Sequence, residues 1–569
     1  MDFQKLVDVY EELENISSGN RMREILAEFF KKVPQDYIAR VSYLTLGQIA
    51  SEYESVVLGM AEKMVLKAIT TASGVEASKV KRIMHETGDV GLTAEKVLQK
   101  KPATLIPVGK LTINELFEKL HKIAKSSGSG SQDTKTNILA SLLQKSPAKG
   151  AKYITRITLG TLRMGVGDMT VLDSLAIAYT GEKKNKKILE KAYNICPDVG
   201  VIAETLARKG LKSLEKIEVH VGRPIKMMLA QRVKDWEEIQ KKMPGKVACE
   251  GKYDGERIQA HKDKDGNINL FSRRLDNITS QFPDLAEYLH KQIKAEEYVV
   301  EGEVIAIDKD GKLMPFQTLM KRRRKHEVEE YVKKIPVQIK LFDLLYLNGK
   351  SYIHEPYQTR TEKLGKIIKK SRHVVPADQI ITDNLKEINT FFKKMVKDGD
   401  EGIMVKNLEG EYQAGTRGWN WIKWKKEYME GLSDTFDLAV IGAFYGRGRR
   451  SGVYGALLCA CYNQKEDSFE TVSRLGTGLT DEMLEELPKK MKKHLAQKKP
   501  PRVEVRKEME PDVWFEPAVV VEVLAAEITK SPHHTAGLAL RFPRFIRYRY
   551  DKKPEQATTS KEIKEMYGK

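Results

Sequence analysis

The chain has 569 residues, 41% hydrophobic and 31% charged, which is enough apolar material for several cores of roughly 150 residues each. Lys and Arg number 98 against 79 Asp and Glu, a formal surplus of +19 that points to a polyanionic partner, nucleic acid before membrane surface. Four cysteines (Cys196, Cys249, Cys459, Cys461) exclude a disulfide-stapled scaffold and match no zinc signature, and no run approaches the roughly 18–20 apolar residues of a membrane span.

In chain order, the opening MDFQKLVDVYEELEN is acidic and helical in pattern, unlike a signal or transit peptide, so a cytoplasmic protein is expected. Leu6, Val9, Tyr10 and Leu13 recur at helical spacing, as do Ile25, Phe29 and Phe30 after a capping Ser17-Ser18-Gly19 break. The helical texture lasts to about Ser213. Ser126–Ser131 (SSGSGS) joins two helical patterns inside one domain, either as a plain loop or as amides that cradle phosphate. Near Val219 short alternating runs begin, among them Val299–Ile307 and Val337–Tyr346, divided by Gly and Asp turns. They predict an α+β domain with mainly antiparallel strands up to about Tyr428. Beyond Asp434 strands dominate, at Leu438–Phe444, Gly455–Tyr462, Val503–Val505 and Val519–Leu524, with one helix at Asp481–Leu495. Several short strands with one helix suit a small closed β-barrel, with Cys459 and Cys461 on one buried strand face. The expected organisation is an all-α domain (1–215), an α+β antiparallel-sheet domain (216–430) and a barrel domain (431–569).

The chemistry concentrates in the middle domain. Ala248-Cys249-Glu250-Gly251-Lys252-Tyr253-Asp254-Gly255-Glu256-Arg257 reads as two strands around an Asp254-Gly255 hairpin turn, with Lys252 just ahead of the turn. Arg257, Gln259 and His261 alternate with Ile258 and Ala260, predicting one polar and one buried face. On this segment alone Lys252 is as readily a surface lysine as a nucleophile, since a reactive lysine needs burial or neighbouring cations. In Val299–Asp308 period two places Glu301 and Glu303 on one face, and Asp400–Lys406 is a second strand with acids at its start. Two carboxylates from different strands suit a Mg²⁺ that keeps phosphate ligands. Arg417–Lys425 puts Lys423 and Lys425 on one strand face, suited to phosphates, and Phe342 in Leu341–Tyr346 is either core or a stacking platform for a base.

These segments, in this order, resemble the covalent nucleotidyltransferases, and specifically the ATP-dependent DNA ligases of the archaeal and eukaryotic replicative type. K-Y-D-G-E-R (252–257), S-R (272–273), E-G-E (301–303), F-D (342–343), E-G-I-M-V-K (401–406), W-I-K-W-K (421–425) and the closing R-F-P-R-F (541–545) with R-Y-D-K (549–552) follow the family's motif order. Gly88–Leu92, Gly128–Gln132, Leu162–Gly167 and Cys196–Asp198 are similar to parts of the ligase DNA-binding domain. The resemblance implies three domains: helical DNA-binding, adenylation and OB-fold. It implies that Lys252 attacks the α-phosphate of ATP, that Glu250 reads the adenine amino group and that Phe342 stacks on the ring. Arg257 and Arg273 hold the nucleotide, Glu303 and Glu401 serve ribose and the divalent metal (Mg²⁺, or Mn²⁺ in its place), and Arg417, Lys423 and Lys425 neutralise phosphate. By the same resemblance Asp551 and Lys552, on the barrel, are expected to close over ATP in the first step. The resemblance further implies nicked double-stranded DNA as the substrate, in replication, repair and recombination, and a monomeric enzyme.

Met227 departs from the proline the family often carries there. Gln99–Ile106 is a candidate sliding-clamp peptide, with Leu105-Ile106 where such peptides carry paired aromatics. Lys321–Lys325 (KRRRK) reads as a DNA-facing or solvated run ahead of a nuclear address, Gly446–Gly452 as a basic turn near DNA, and His533-His534 as a loop. An RNA ligase or capping guanylyltransferase leaves the N-terminal helical region unexplained, and an NAD-dependent ligase lacks its zinc cysteines here. A catalytically dead DNA-binding scaffold is opposed by the intact Lys252, Glu303, Glu401 and Lys423.

Overall fold

Helices occupy the chain from Gln4 to Leu214 and enclose one apolar cluster in the computed structural model, which describes residues 1–16, 18–99, 109–233, 236–322, 328–425, 434–446, 453–525 and 527–567. The helix Ile113–Lys125 shows why: Thr112 caps it by accepting from the Glu115 amide at 3.2 Å, and Ile113, Leu116, Leu120 and Ile123 bury one face. The Ser126–Ser131 loop leads into the helix Ser131–Lys145, with Gly128 and Gly130 at φ 84° and 77°, conformations that glycine adopts freely. Both helices feed the same core, so the loop lies inside one domain. Ser18 caps Gly19–Lys32 through the Arg21 amide, and Ser17 lies outside the described residues.

The middle of the chain forms two sheets. Five strands lie in the order Leu229–Arg232, Arg417–Lys425, Gly402–Asn407, Val247–Lys252, Gln379–Thr382. In the second sheet Ile268–Ser272, Glu256–Lys262, Tyr298–Ala306 and Val337–Leu347 follow one another, and Lys350–Ser351 and Val374–Pro376 both pair with the last. All pairings are antiparallel except Leu229–Arg232 with Arg417–Lys425 and Val337–Leu347 with Val374–Pro376.

Val247–Lys252 and Glu256–Lys262 belong to different sheets, so Tyr253-Asp254-Gly255 is a crossover rather than a hairpin turn. The close approach of Val304 O, 2.3 Å from a Cβ placed on Gly255, leaves room only for glycine. The polar face of Glu256–Lys262 is also buried. Gln259 and His261 are fully covered, because the segment before Leu229 lies across them, with the Ile225 and Gly222 amides donating to Gln259 Oε1 (2.8 Å) and His261 Nδ1 (3.1 Å).

Seven strands of the C-terminal region form one sheet, with apolar clusters on both faces. Cys459 and Cys461 share one cluster and Leu458 and Ala460 the other, so the two buried, free thiols do share a strand face. The helix Asp481–Met491 stops short of Leu495, which instead pairs as a strand with Phe515. The strands Ser468–Leu475, Leu538–Arg541 and Arg544–Tyr548 and the helix Ser560–Tyr567 were not anticipated. His533-His534 is a loop, as expected, between Glu527–Lys530 and Leu538–Arg541. The basic run at Lys321–Lys325 is neither solvated nor DNA-facing at Arg322. That side chain is buried, 2.5 Å from Asp284 and stacked on Phe282 at 4.9 Å, because residues 281–284 and 335 close over it. Residues 323–325, most of Gly446–Gly452 (447–452) and most of Gln99–Ile106 (100–106) lie outside the described residues. No helix among the described residues is long and apolar enough to cross a membrane.

The two central sheets are tied by Arg360, whose guanidinium lies 2.7 and 3.1 Å from the Asp343 carboxylate and also donates to Glu355 O and Gly410 O. Both side chains are wholly buried. Asp343→Ala strands that guanidinium and is expected to lower stability by about 3–5 kcal/mol in urea unfolding. A midpoint equal to that of the unmodified protein would refute this.

Candidate active site

The crossover sets Lys252 at the seam between the sheets. As the last residue of its strand it pairs with Gly402, and the Glu401 amide donates to Lys252 O at 2.9 Å. Glu401 therefore stands beside Lys252 by backbone register, its Oε2 2.5 Å from Lys252 Nζ and 3.2 Å from Lys425 Nζ. Glu303 comes from the other sheet, opposite Arg257 on Glu256–Lys262. All twelve residues singled out in the sequence line one pocket: Glu250, Lys252, Arg257, Arg273, Glu303, Phe342, Glu401, Arg417, Lys423, Lys425, Asp551 and Lys552.

The rear of the pocket is a buried polar lattice. Glu301, on the same strand face as Glu303 but fully covered, accepts from Arg257 (2.7 Å), Gln259 (3.0 Å) and Tyr412 (3.0 Å), and Arg257 also donates to Met228 O at 2.6 Å. Arg257 is thereby held under Phe342 and Trp421, 5.4 and 4.9 Å from the ring centroids.

The opposite wall comes from the C-terminal domain, which closes on the pocket. Arg547 stands 3.4 Å from Asp254 and 3.6 Å from Glu401, and Arg274 and Gln556 bridge the two domains through Tyr550 O (3.3 Å) and Arg273 O (3.5 Å). Lys552 is ion-paired to Asp437, which also holds Arg549 at 3.0 Å, and Arg549 holds Asp551 at 2.7 Å. Glu562 of the last helix is ion-paired to Arg417.

Electrostatics give the pocket a cationic side and an acidic side. Burial, then Arg232, Lys552 and Arg417, pushes the Lys423 ammonium well below the usual lysine range. Burial with Arg232 and Arg273 brings Arg417 down to about 9, and burial brings Arg273 to about 10. Lys552 is lowered by burial and Arg549. Buried cations that repel one another in this way bind a polyphosphate with gain on both sides. On the acidic side burial raises Glu303 to about 8, with Glu401 and Asp254 adding to it. Burial opposes ionisation of Glu401 as well, but Lys252 and Lys425 outweigh it and hold that carboxyl well below its ordinary range.

No three His, Cys, Asp or Glu side chains among the described residues stand close enough to cage a metal by themselves. Glu303 and Glu401, facing the pocket from two sheets, suit instead a hard cation that keeps water and phosphate oxygens as its other ligands. The raised Glu303 has a consequence for stability. Its folded-state value lies above the unfolded one, so its contribution falls as pH rises from the ordinary carboxylate range and levels off above about 8. Asp400, raised by burial to about 7, levels off earlier. Glu303→Gln is therefore expected to flatten the decline in Tm between pH 7 and 8 in divalent-free buffer, and an unchanged slope would contradict the placement.

Several pocket residues escaped the sequence reading. Arg547 and Arg549 alternate with Ile546 and Tyr548, and period two would have paired them on one face; Arg232 and Asp437 carry no local signal. In the helical region the motif acids are structural: Asp89 caps Val90–Leu98 and pairs with Arg156 and Arg163 (3.2 and 3.3 Å), and Asp198 caps Val199–Lys209 and accepts from Tyr43 at 2.5 Å. In Leu162–Gly167, Gly165 seats against Pro501 and Gly167 against Arg502.

Three family models match the chain: "DNA ligase N terminus" over residues 2–176, "ATP dependent DNA ligase domain" over 227–425 and "ATP dependent DNA ligase C terminal region" over 450–552. "DNA ligase" of Staphylothermus marinus is 46% identical, aligning 100% of this chain with 98% of its own length. "DNA ligase 1" of Methanosarcina mazei is 42% identical over 100% of this chain and 99% of its own. Among solved structures, mycobacterial DNA ligase D complexed with ATP and MES is 25% identical over 58% of this chain and 97% of that one, with a TM-score of 0.35. A pocket that gathers the twelve expected site residues around one lysine, together with relatives matched from end to end, places this chain in the ATP-dependent DNA ligase family.

Proposed function

We propose that the chain seals nicks in duplex DNA through a covalent adenylate on Lys252. The observation that carries this reading is the position of Lys252 Nζ at the seam of two sheets, between Glu401 and a wall of mutually repelling cations. In step one the Lys252 nitrogen attacks the α-phosphorus of ATP, a P–N bond forms, and pyrophosphate leaves. Glu401, its carboxylate 2.5 Å from the Lys252 nitrogen, orients that nitrogen, and the lysine proton leaves to solvent. Lys423, Arg417 and Lys425 neutralise phosphate charge, and Asp551 and Lys552 orient the leaving group from the barrel. Such charge neutralisation and positioning account for most of phosphoryl-transfer catalysis. Phe342 supplies the stacking face and Arg257, Arg273 and Glu303 hold the nucleotide. Glu303 and Glu401 would hold a Mg²⁺, which supplies further neutralisation of phosphate charge when bound.

Step two moves AMP from Lys252 to the 5′-phosphate oxygen at the nick. In step three the 3′-hydroxyl attacks that phosphate, forming the phosphodiester and expelling AMP. The barrel has to move off the pocket before DNA enters. The remaining basic surface fits backbone contacts that ignore sequence. The division into DNA-binding (1–215), adenylation (216–430) and OB-fold (431–569) domains, the monomeric state, the cytoplasmic location and a sliding-clamp contact at Gln99–Ile106 belong to this proposal. So does a role in replication, repair and recombination. The test is sealing of a nicked duplex with ATP, ADP, GTP or NAD supplied separately. Sealing with ATP and none with NAD or GTP is expected, and sealing with NAD alone would overturn the reading.

A further inference from the structure

We propose that Tyr357 and Gln379 set the base preference of the nucleotide pocket by fixing the Glu250 carboxylate as an acceptor. The inference rests on the reading that Glu250 meets the 6-amino group of adenine.

Glu250 stands two residues before Lys252 on the same strand, so it faces the same pocket, yet it is only 2% exposed. Its carboxylate is engaged from behind by three donors. Oε2 lies 2.6 Å from Lys406 Nζ, while Oε1 accepts from Gln379 Nε2 at 2.9 Å and from the Tyr357 hydroxyl. Gln379 Nε2 also lies 3.0 Å from that hydroxyl, which closes a triangle around Oε1. The three donors come from three elements: Gln379 from the neighbouring strand, directly opposite Glu250 in register; Lys406 from Gly402–Asn407; Tyr357 from the first turn of the helix Tyr357–Ile367. Lys406 Nζ also sits 4.6 Å from the centre of the Phe342 ring, so one lysine backs both the carboxylate and the aromatic face.

A carboxylate offers about four acceptor positions, and three are taken, two on Oε1 and one on Oε2. The position left free lies on Oε2. A base that presents an N–H there completes the set, whereas one that presents a carbonyl oxygen sets acceptor against acceptor in a buried site, where unpaired polar groups discriminate strongly. Tyr357 is buried and does not line the pocket, so it acts through Glu250 as a positioning residue. Burial and the Glu250 charge hold its phenol far above the usual range, so it remains a donor. Gln379 keeps that hydroxyl turned toward Oε1.

The test compares enzyme adenylation rates for ATP and for purine riboside triphosphate, which lacks the 6-amino group. The ratio of the two rates isolates the contact between that amino group and Glu250, and a general loss of structure does not move it. Tyr357→Phe keeps the ring and removes the hydroxyl. It is expected to reduce the ATP preference by roughly tenfold, as for a hydrogen bond to a charged group, while the rate with purine riboside triphosphate stays near that of the unmodified enzyme. Gln379→Ala is expected to lower the ratio in the same direction and carries the test if Tyr357→Phe fails to fold. Glu250→Gln separates the two layers of the argument. If it collapses the ratio while Tyr357→Phe and Gln379→Ala leave it intact, the positioning role is wrong and the Glu250 reading stands. If it leaves the ratio intact, both are wrong.

Discussion

Lys252→Ala is expected to abolish formation of the AMP adduct and ATP-dependent nick sealing, a loss of about four orders of magnitude or more, because no other group can take over the covalent step. Sealing of a nick that already carries the 5′-adenylate is expected to survive, since its chemistry needs only the 3′-hydroxyl, the phosphate and the surrounding cations. The fold is expected to tolerate the change. Lys252 is partly exposed and lies at a strand end, and Glu401 keeps Lys425 at 3.2 Å and Arg547 at 3.6 Å as partners. An unaltered Tm with no adduct would locate the defect in chemistry. Lys252→Arg sharpens the point, since it retains the charge beside Glu401 but supplies no usable amine. Adduct formation by either variant would be decisive against the assignment.

Lys552→Ala is expected to slow enzyme adenylation by about 10²–10³-fold, the usual cost of removing one preorganised charge from a phosphoryl-transfer site. The same variant should seal pre-adenylated nicks almost normally. The asymmetry follows from geometry. Lys552, paired with Asp437 of its own domain, belongs to the C-terminal domain and reaches the pocket only while that domain lies across it, held there by the contacts of Arg547 with Asp254 and Glu401. In the proposed mechanism a duplex displaces that domain before the later steps. Asp437 retains Arg549 at 3.0 Å, so the variant leaves no isolated buried carboxylate. Equal losses in adenylation and in sealing of pre-adenylated nicks would argue that Lys552 stays in the pocket throughout, contrary to this account.

How much of this was legible in the sequence depends on the range of the interactions. Helical spacing around Leu6–Leu13 and Ile25–Phe30, and strand alternation around Val299–Ile307, are local patterns, and the structure follows them. The motif lysines, arginines and carboxylates were legible because their chemistry restricts residue type, and the fold gathers all eleven together with Phe342. The Asp254-Gly255 turn misled because a turn signal states that the chain reverses and not which sheet receives the next strand. The supposedly polar face of Arg257, Gln259 and His261 misled because its cover comes from the segment before Leu229, more than 20 residues upstream. Arg322 looked like one more charge in a basic run, and only Asp284, far away in sequence, shows it to be a buried anchor. Tyr357 and Gln379 could not be connected to Glu250 by any spacing, since they meet it across more than 100 residues.

The central claim is that one lysine carries the nucleotide, and its most direct measurement is to label the protein with α-³²P-ATP, digest it and sequence the labelled peptide by mass spectrometry. The account predicts a single adenylated residue, Lys252, joined through an acid-labile phosphoramidate and discharged when nicked DNA is added. Label on any other side chain, or an adduct on Lys252 that nicked DNA fails to discharge, would contradict it.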